Sequence, residues 1–179
     1  MMKHFAPLCV GLVLMTSLTA FAEEKDAKTI SFGDGHLEMT VPEGWKTVQP
    51  SVRIIEHEFA APAKEEGATA GRATLMGAGG GVKANVDRWK KQFAKLTGDE
   101  AKEEKIAGQT VHFIELKGDY KDQRGPFAPA VLKEDYTVMG AIIVTDKLGD
   151  YFLKLYGPSD TISENKEKFT DMVKSLKVK

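Results

Sequence analysis

Short strand-like runs separated by tight turns fill the sequence from residue 29 to residue 59, and this pattern constrains the fold more than any other feature. Residues 29–32 and 36–41 flank Gly33-Asp34-Gly35, and an Asp-Gly pair tolerates the positive φ of a hairpin turn. Further runs at 46–48, 53–59 and 72–76 follow a proline turn and a loop rich in Ala, Glu and Gly. The sequence therefore predicts several strands before any helix.

The apolar period changes after this group of strands. Five apolar residues recur at alternating steps of four and three, which is the spacing of one helical face. They are Val82, Val86, Trp89, Phe93 and Leu96. Gly98 is predicted to end this helix. Because Trp89 and Phe93 lie on the apolar stripe, core packing is favoured over stacking on a ligand.

The second half of the sequence repeats the order of strands followed by a helix. Extended runs at 109–117, 131–144 and 151–156 precede a final helix, for which Thr161 and Glu164 form a candidate capping box. The apolar face of that helix consists of Ile162, Phe169, Met172, Val173 and Leu176. Two groups of strands, each followed by one helix, predict an α+β domain in which two main helices pack on an antiparallel sheet.

Residues 1–22 have the pattern of a secretory signal peptide. Lys3 and His4 precede an apolar run at 5–18, and Ala20-Phe21-Ala22 leads into a charged stretch. The apolar run is shorter than the roughly 20 residues of a membrane-spanning helix. We therefore expect cleavage after Ala22 and export to the periplasm or beyond, with residues 23–179 forming a single domain.

The mature chain is predicted to fold without a covalent crosslink. The single cysteine, Cys9, lies within the leader, so neither a disulfide nor a thiol nucleophile is expected after cleavage. The apolar run continues beyond Cys9, which argues against a lipid anchor at that residue. Removing Lys3 leaves 24 basic and 26 acidic residues. This balance does not favour nucleic acid or an anionic membrane as a partner.

A glycine-rich stretch between a strand and a helix is a candidate anion site. Gly79, Gly80 and Gly81 could present backbone amides to an anion, and Asn85 and Arg88 on the first turns of the helix could join them. A flexible connection is the alternative, because glycine is permissive. A dinucleotide site is disfavoured because it requires a parallel βαβ unit.

Other residue types give no catalytic or metal site. His36, His57 and His112 fall in different predicted strands without metal-ligand spacing, and no serine lies in a GxSxG motif. The carboxylate pairs at 99–100 and 103–104 are interpreted as solvated loop residues. Trp45, after the proline turn, is predicted to close the edge of the sheet. No catalytic residue, metal or cofactor is therefore predicted.

Residues 118–129 form the longest stretch without a regular pattern. Segments of about a dozen residues are often functional. The segment mixes both charge signs with aromatic residues, which is typical of an adaptable contact surface. Tyr120, Lys121, Arg124 and Phe127 are its candidate partner-binding residues, and an ordinary hairpin connection is the alternative.

Four local strings of the sequence are distinctive, namely LEMTVPEGW at 37–45, VMGAII at 138–143, YFLKLYGP at 151–158 and MVKSLK at 172–177. Together with the order of elements, they resemble exported proteins of the PsbP/Mog1-like superfamily, and in particular small exported proteins of planctomycete type. The resemblance implies an α/β/α sandwich and a role in binding or assembly rather than catalysis. The superfamily has a photosystem branch linked to the oxygen-evolving complex and a nuclear branch linked to a small GTPase, but no partner-binding residue of either can be matched here.

The leading hypothesis is a soluble, exported, non-enzymatic module that binds or assists assembly of an unknown protein or small ligand outside the cytoplasm. One alternative is a periplasmic enzyme whose His and carboxylate residues are brought together by the fold. The other is a carrier of a small apolar ligand, for which the sign would be an open cavity between the sheet and the helix that begins near Val82.

Overall fold

The computed structural model describes residues 28–123 and 128–179, which form ten strands and two helices. The predicted signal peptide lies outside the described residues. The strands are β1 Thr29–Phe32, β2 Leu37–Thr40, β3 Lys46–Val48, β4 His57–Ala61, β5 Gly71–Gly77, β6 Phe93–Ile106, β7 Gln109–Asp122, β8 Val131–Val144, β9 Asp150–Pro158 and β10 Lys177–Val178. The helices are α1 Gly81–Lys90 and α2 Ser159–Lys174. Neither helix is long and apolar enough to cross a membrane.

A seven-stranded antiparallel sheet lies at the centre, in the order β3-β4-β5-β9-β8-β7-β6. Alternate residues of β9 point to opposite faces. Leu153 and Leu155 pack in the cluster that contains α2, whereas Phe152 packs with Trp89 of α1. The two helices therefore cover opposite faces, and the predicted α+β fold is confirmed. A small sheet of order β1-β2-β10 packs beside the α2 side, and its last strand was not predicted.

The predicted apolar face of α2 is confirmed. All five of its residues, Ile162, Phe169, Met172, Val173 and Leu176, are buried. Asn165 on the same helix is also buried and accepts a 2.8 Å hydrogen bond from Nε1 of Trp45. Its amide nitrogen donates to the carbonyls of Pro62 and Thr161. One amide side chain thus ties Trp45 and the 62–70 loop to α2.

The predicted capping box is wrong, because α2 begins earlier than expected. Pro158 at the end of β9 is the N-cap residue and the helix begins at Ser159, with no side-chain cap. Thr161 and Glu164 instead make contacts with the 62–70 loop between β4 and β5. The Thr161 hydroxyl donates to the Thr69 carbonyl, and a Glu164 carboxylate oxygen accepts a hydrogen bond from the Lys64 amide. These side chains fix the loop against the helix.

The first helix is shorter than its apolar period predicts. It ends at Lys90, and the predicted helical residues Phe93 and Leu96 lie in β6. The carboxylate pairs at 99–100 and 103–104, interpreted as loop residues, belong to this same strand. As the edge of the sheet, β6 exposes side chains on both faces, and its charges oppose pairing with another chain. An edge strand of this kind lacks the alternation by which buried strands are recognised.

Two further boundaries differ from the prediction. The fourth strand begins at His57 rather than at residue 53, and β7 continues to Asp122. The first five residues of the segment expected to be irregular, 118–122, are therefore strand. The turn between β6 and β7 is two residues long, with Ala107 and Gly108 at φ 50° and 81°. Positive φ at both positions matches the twist of a tight hairpin.

Candidate functional site

The α1 face of the sheet has an apolar half and a polar half. Helix α1 covers the apolar half through Trp89, whose ring meets Phe152 edge to face at 6.2 Å. Further along β9 the same face carries Lys154 and Tyr156. Arg72 of β5 is paired with Tyr156 in the register. Polar groups from several strands thus meet beside the end of the helix.

The side chain of Lys154 lies at the centre of this polar region and is partly buried. Its Nζ donates to Oε1 of Gln92 at 2.6 Å and to the hydroxyl of Tyr120 at 3.2 Å. The same nitrogen lies 5.3 Å from the ring centre of Tyr120 and 5.0 Å from that of Tyr156. Both of these hydrogen-bond acceptors are neutral groups. We refer to Lys154, Gln92, Tyr120, Tyr156 and Arg72 as the Lys154 cluster.

The end of α1 positions Gln92. The Gln92 amide donates to the Trp89 carbonyl at 3.1 Å, and the Gln92 carbonyl accepts a 2.7 Å hydrogen bond from the Lys121 amide. These two backbone bonds hold the residue between helix and sheet. Its side-chain oxygen can therefore meet Lys154 without a large loss of conformational freedom.

The guanidinium of Arg72 is engaged on two sides. Its Nε and Nη2 donate to the two carboxylate oxygens of Glu58 at 2.7 Å and 2.9 Å. Its Nη1 donates to the hydroxyl of Tyr156 at 3.0 Å. The bond to Glu58 and the bond to Tyr156 raise the pKa of Arg72. The bidentate pair holds this cation in one place, so its charge acts on Lys154 at a fixed position.

Burial lowers the pKa of Lys154 to about 7. The positive charge of Arg72 acts in the same direction, and the negative charge of Asp122 opposes both. Burial also raises the pKa of Tyr120, with Tyr156 as the next contribution. Perturbed ionisable groups concentrate at functional sites, although structural networks perturb them too. The arrangement can supply a neutral amine at neutral pH.

The lowered pKa of Lys154 predicts that the free energy of unfolding depends on pH. Between pH 7 and 10.5 the unfolded chain holds this proton more tightly than the folded chain, so stability must rise with pH in that window. We expect Lys154→Met to stabilise the protein most at and below pH 7, and the gain over wild type to shrink towards pH 10.5. Urea denaturation followed by circular dichroism measures the difference.

The matched control for this experiment is Lys105→Met, which removes an exposed lysine of β6. At pH 7, Lys154→Met should stabilise the protein more than this control does. A Lys154→Met difference from wild type that stays constant over the range would contradict the lowered pKa of Lys154.

The predicted anion-site residues do lie together at the start of α1. Asn85 is buried, and its Nδ2 donates to the carbonyls of Gly79 and Gly81 at 3.1 Å and 2.8 Å. Gly80 and Gly81 adopt φ of 99° and 69°, which glycine tolerates. The Asn85 amide therefore closes the loop onto itself, and Arg88 is exposed beside it. Anion binding at this loop stays a prediction.

The structure describes two of the four predicted partner-binding residues. Tyr120 is in strand β7, not in an irregular loop, and it is buried against Phe93 at 5.4 Å and Tyr136 at 6.0 Å between ring centres. Lys121, the next residue, is exposed. Arg124 and Phe127 lie outside the described residues. Tyr120 thus supports the Lys154 cluster from within.

Sequence reasoning missed Lys154 itself. A lysine between Phe152 and Tyr156 at alternate positions of an apolar strand must point to the same face as its aromatic neighbours. This alternation was the available signal. It would have predicted a lysine on a packed face, but not its partners.

The carrier alternative requires an open cavity between α1 and the sheet, and the enzyme alternative requires clustered His and carboxylate residues. An open depression of about 260 Å³ lies between α1 and the sheet, lined by Val82, Val86, Ile114 and others. Over residues 28–123 and 128–179 there is no group of three His, Cys, Asp or Glu residues that could hold a metal. His57 contacts the Ser31 carbonyl oxygen at 2.8 Å, whereas His112 lies 3.6 Å from Glu103 in the β6–β7 hairpin. The described histidines are therefore not part of one acid-base site.

Comparison with solved structures supports the fold. The chain is similar to the solution structure of cyanobacterial PsbP (CyanoP) from Synechocystis sp. PCC 6803, with 14% identity over 97% of this chain and 98% of that chain and a TM-score of 0.50. It is also similar to the crystal structure of the Saccharomyces cerevisiae Ran-binding protein Mog1p, with 14% identity, coverage of 86% and 95%, and a TM-score of 0.50. A mutant of Mog1 gives 13% identity and the same TM-score. No protein-family profile and no curated protein sequence matches significantly. The fold is therefore PsbP/Mog1-like.

Proposed function

We propose that this protein is an exported, soluble, non-enzymatic module that binds a protein partner. The observation that carries the proposal is the shape of the β7–β8 hairpin. Pairing of β9 with β8 ends where Pro158 meets Tyr136, and pairing of β6 with β7 begins where Phe93 meets Tyr120. The β7–β8 ladder continues beyond both points. This projecting part of the hairpin, residues 121–122 and 131–135, is called the ribbon below.

The ribbon carries apolar surface. Val131 and Leu132 are each 53% exposed. Because they are adjacent in a strand, they lie on opposite faces of the ribbon. Single exposed apolar residues are ordinary. Two of them next to exposed Lys121 and Glu134 give the mixture of apolar and charged groups found at transient protein interfaces.

Similarity to a solved structure also supports the proposal of protein binding. One of the solved structures with this fold is described as a Ran-binding protein. The fold is therefore compatible with protein recognition, although no partner can be transferred at this identity. Export rests on the predicted leader, and the likeness to exported planctomycete-type proteins is part of the same proposal.

Site-specific photocrosslinking tests the binding proposal. Benzoylphenylalanine replaces Leu132 in the full chain, which is expressed in its native host and irradiated in whole cells. We expect one covalent adduct of defined mass, competed by excess unlabelled mature protein but not by a Leu132→Asp variant. The matched control places the same crosslinker at Val178, which is 44% exposed on the small sheet. Equal labelling at both positions, or labelling without competition, would contradict binding through the ribbon.

Export is tested separately. We expect cell fractionation to place the protein outside the cytoplasm, and N-terminal sequencing of that fraction to begin at Glu23. A full-length protein retained in the cytoplasm would overturn the export part of the proposal and leave the crosslinking result unaffected.

A further inference from the structure

Residues 46–54 comprise β3, an outermost strand of the large sheet, and the loop that follows it, and they expose several apolar side chains. Val48, Val52 and Ile54 are 36%, 49% and 68% exposed. Ile54 is the most exposed large apolar side chain in the part of the chain that the structure describes. One such residue is ordinary, but three between 48 and 54 indicate a contact surface. We call residues 46–54 the edge segment.

A turn holds Arg53 and Ile54 at the tip of the edge segment. The Ile55 amide donates to the Val52 carbonyl at 3.2 Å, so Arg53 and Ile54 are the two central residues of this turn. The next amide along the chain donates to the Leu75 carbonyl of β5 at 2.9 Å, which fixes the turn to the sheet. Central turn positions favour Gly, Pro, Asn, Asp and Ser. An isoleucine so exposed contributes little burial to the fold, so folding does not account for it.

The edge segment is locally positive. Lys46 and Arg53 are exposed, and no acidic residue occurs from position 45 to position 55. Lys28 adds a third cation, because its Nζ donates to the Thr47 hydroxyl. The flanking carboxylate of Glu56 accepts a hydrogen bond from a backbone amide of the β1–β2 turn at 3.3 Å. The whole chain is close to neutral, so this positive charge is a property of the segment and not of the protein.

We propose that the edge segment docks reversibly on an anionic lipid bilayer. Ile54 at the tip enters the boundary between headgroups and acyl chains, and Arg53 and Lys46 meet lipid phosphates. A bilayer supplies an apolar medium and a dense array of phosphates together, and it requires no shape complementarity from a convex turn. This surface lies apart from the ribbon, so the inference goes beyond the proposed binding of a protein partner.

The place where the chain enters the fold also favours a bilayer as the occupant. Lys28 is the first described residue, and its contact with Thr47 puts the start of the domain beside the edge segment. Five residues separate it from Ala22, the end of the predicted leader, a span of at most about 22 Å. A leader held in a membrane during export therefore keeps this side of the domain close to that membrane. This step rests on the export part of the proposed function, whereas the affinity of the segment for lipid does not.

Co-sedimentation with vesicles tests the proposal. Residues 23–179 are mixed with vesicles of equal parts phosphatidylglycerol and phosphatidylcholine, or of phosphatidylcholine alone. We expect binding to the anionic vesicles at low salt and its loss in about 0.5 M salt. Joint replacement Val52→Ser and Ile54→Ser should weaken binding by about tenfold or more. Lys46→Gln and Arg53→Gln should each weaken it by about fivefold.

The matched control replaces the other exposed apolar pair, Val131→Ser together with Leu132→Ser. This variant should bind the anionic vesicles as wild type does, and circular dichroism checks the fold of every variant. An equal loss of binding in this control would overturn the assignment to the edge segment. Absence of binding to anionic vesicles at low salt, or equal binding to phosphatidylcholine alone, would overturn the proposal itself.

A fluorescent label reports whether the tip enters the bilayer. Residues 23–179 contain no cysteine, so Ile54→Cys gives a single site for an environment-sensitive fluorophore. We expect its emission to shift to the blue on anionic vesicles, while the same label at Val178→Cys on the small sheet should not shift. An unshifted label at position 54 on bound protein would overturn insertion. Cytoplasmic retention of the full chain with vesicle binding intact would remove only the export step, so the two failures are distinguishable.

Discussion

Gly118→Ala is expected to lower the free energy of unfolding by about 3 kcal/mol or more, through backbone strain combined with overpacking. Gly118 has φ 144°, a conformation that residues with a side chain rarely adopt. A Cβ there would overlap the carbonyl oxygen of Lys95 on β6. The obstacle is backbone rather than a side-chain tip, so relief requires separating β6 from β7 next to the bulges at which their register shifts. Urea denaturation followed by circular dichroism measures the loss.

Gly98→Ala is the matched control for Gly118→Ala. Gly98 lies in the adjacent strand β6, opposite Lys117, and a Cβ at this position would make an ordinary 3.4 Å contact with Lys117 Cβ. Its effect should stay within about 0.5 kcal/mol, the usual range for surface substitutions. Equal losses at the two glycines would show that strain at Gly118 is not the cause.

The second large effect is expected at Trp89. This residue is the main contact of α1 with the sheet, and it is buried between Gly140 and Phe152. We expect Trp89→Ala to cost about 3–5 kcal/mol, because removing the indole leaves a cavity between α1 and the sheet. The exposed Lys83→Ala on the same helix should cost less than about 0.5 kcal/mol.

A double-mutant cycle with Gly140 tests the contact directly. A Cβ at residue 140 would overlap the Trp89 ring, so Gly140→Ala alone should cost about 1–3 kcal/mol by overpacking. In the Trp89→Ala background the same change should cost little, because the obstructing ring is gone. Additive losses in the double variant would contradict the packing of Trp89 on Gly140.

Most buried strands and the second helix could be predicted because their apolar residues follow a simple period. The five predicted core residues of α2 are all buried, and the prediction that Trp89 and Phe93 belong to the core is confirmed. Strand β6 was missed because its side chains are mostly polar on both faces. Its identity depends on pairing with β7 across a two-residue turn, which no local pattern in 93–106 reveals.

The sequence by itself determined the class of the fold, the faces that are buried and the expectation of export, since each depends on local periodicity or local composition. The tertiary structure alone decided the surroundings of Lys154. Antiparallel register brings Arg72 of β5 beside Tyr156 of β9. The β6–β7 hairpin places Tyr120 near the end of α1, where Gln92 accepts a hydrogen bond from Lys154. Burial and hydrogen bonding are sums over neighbours distant in sequence, so the basicity of this amine is a property of the fold rather than of any segment.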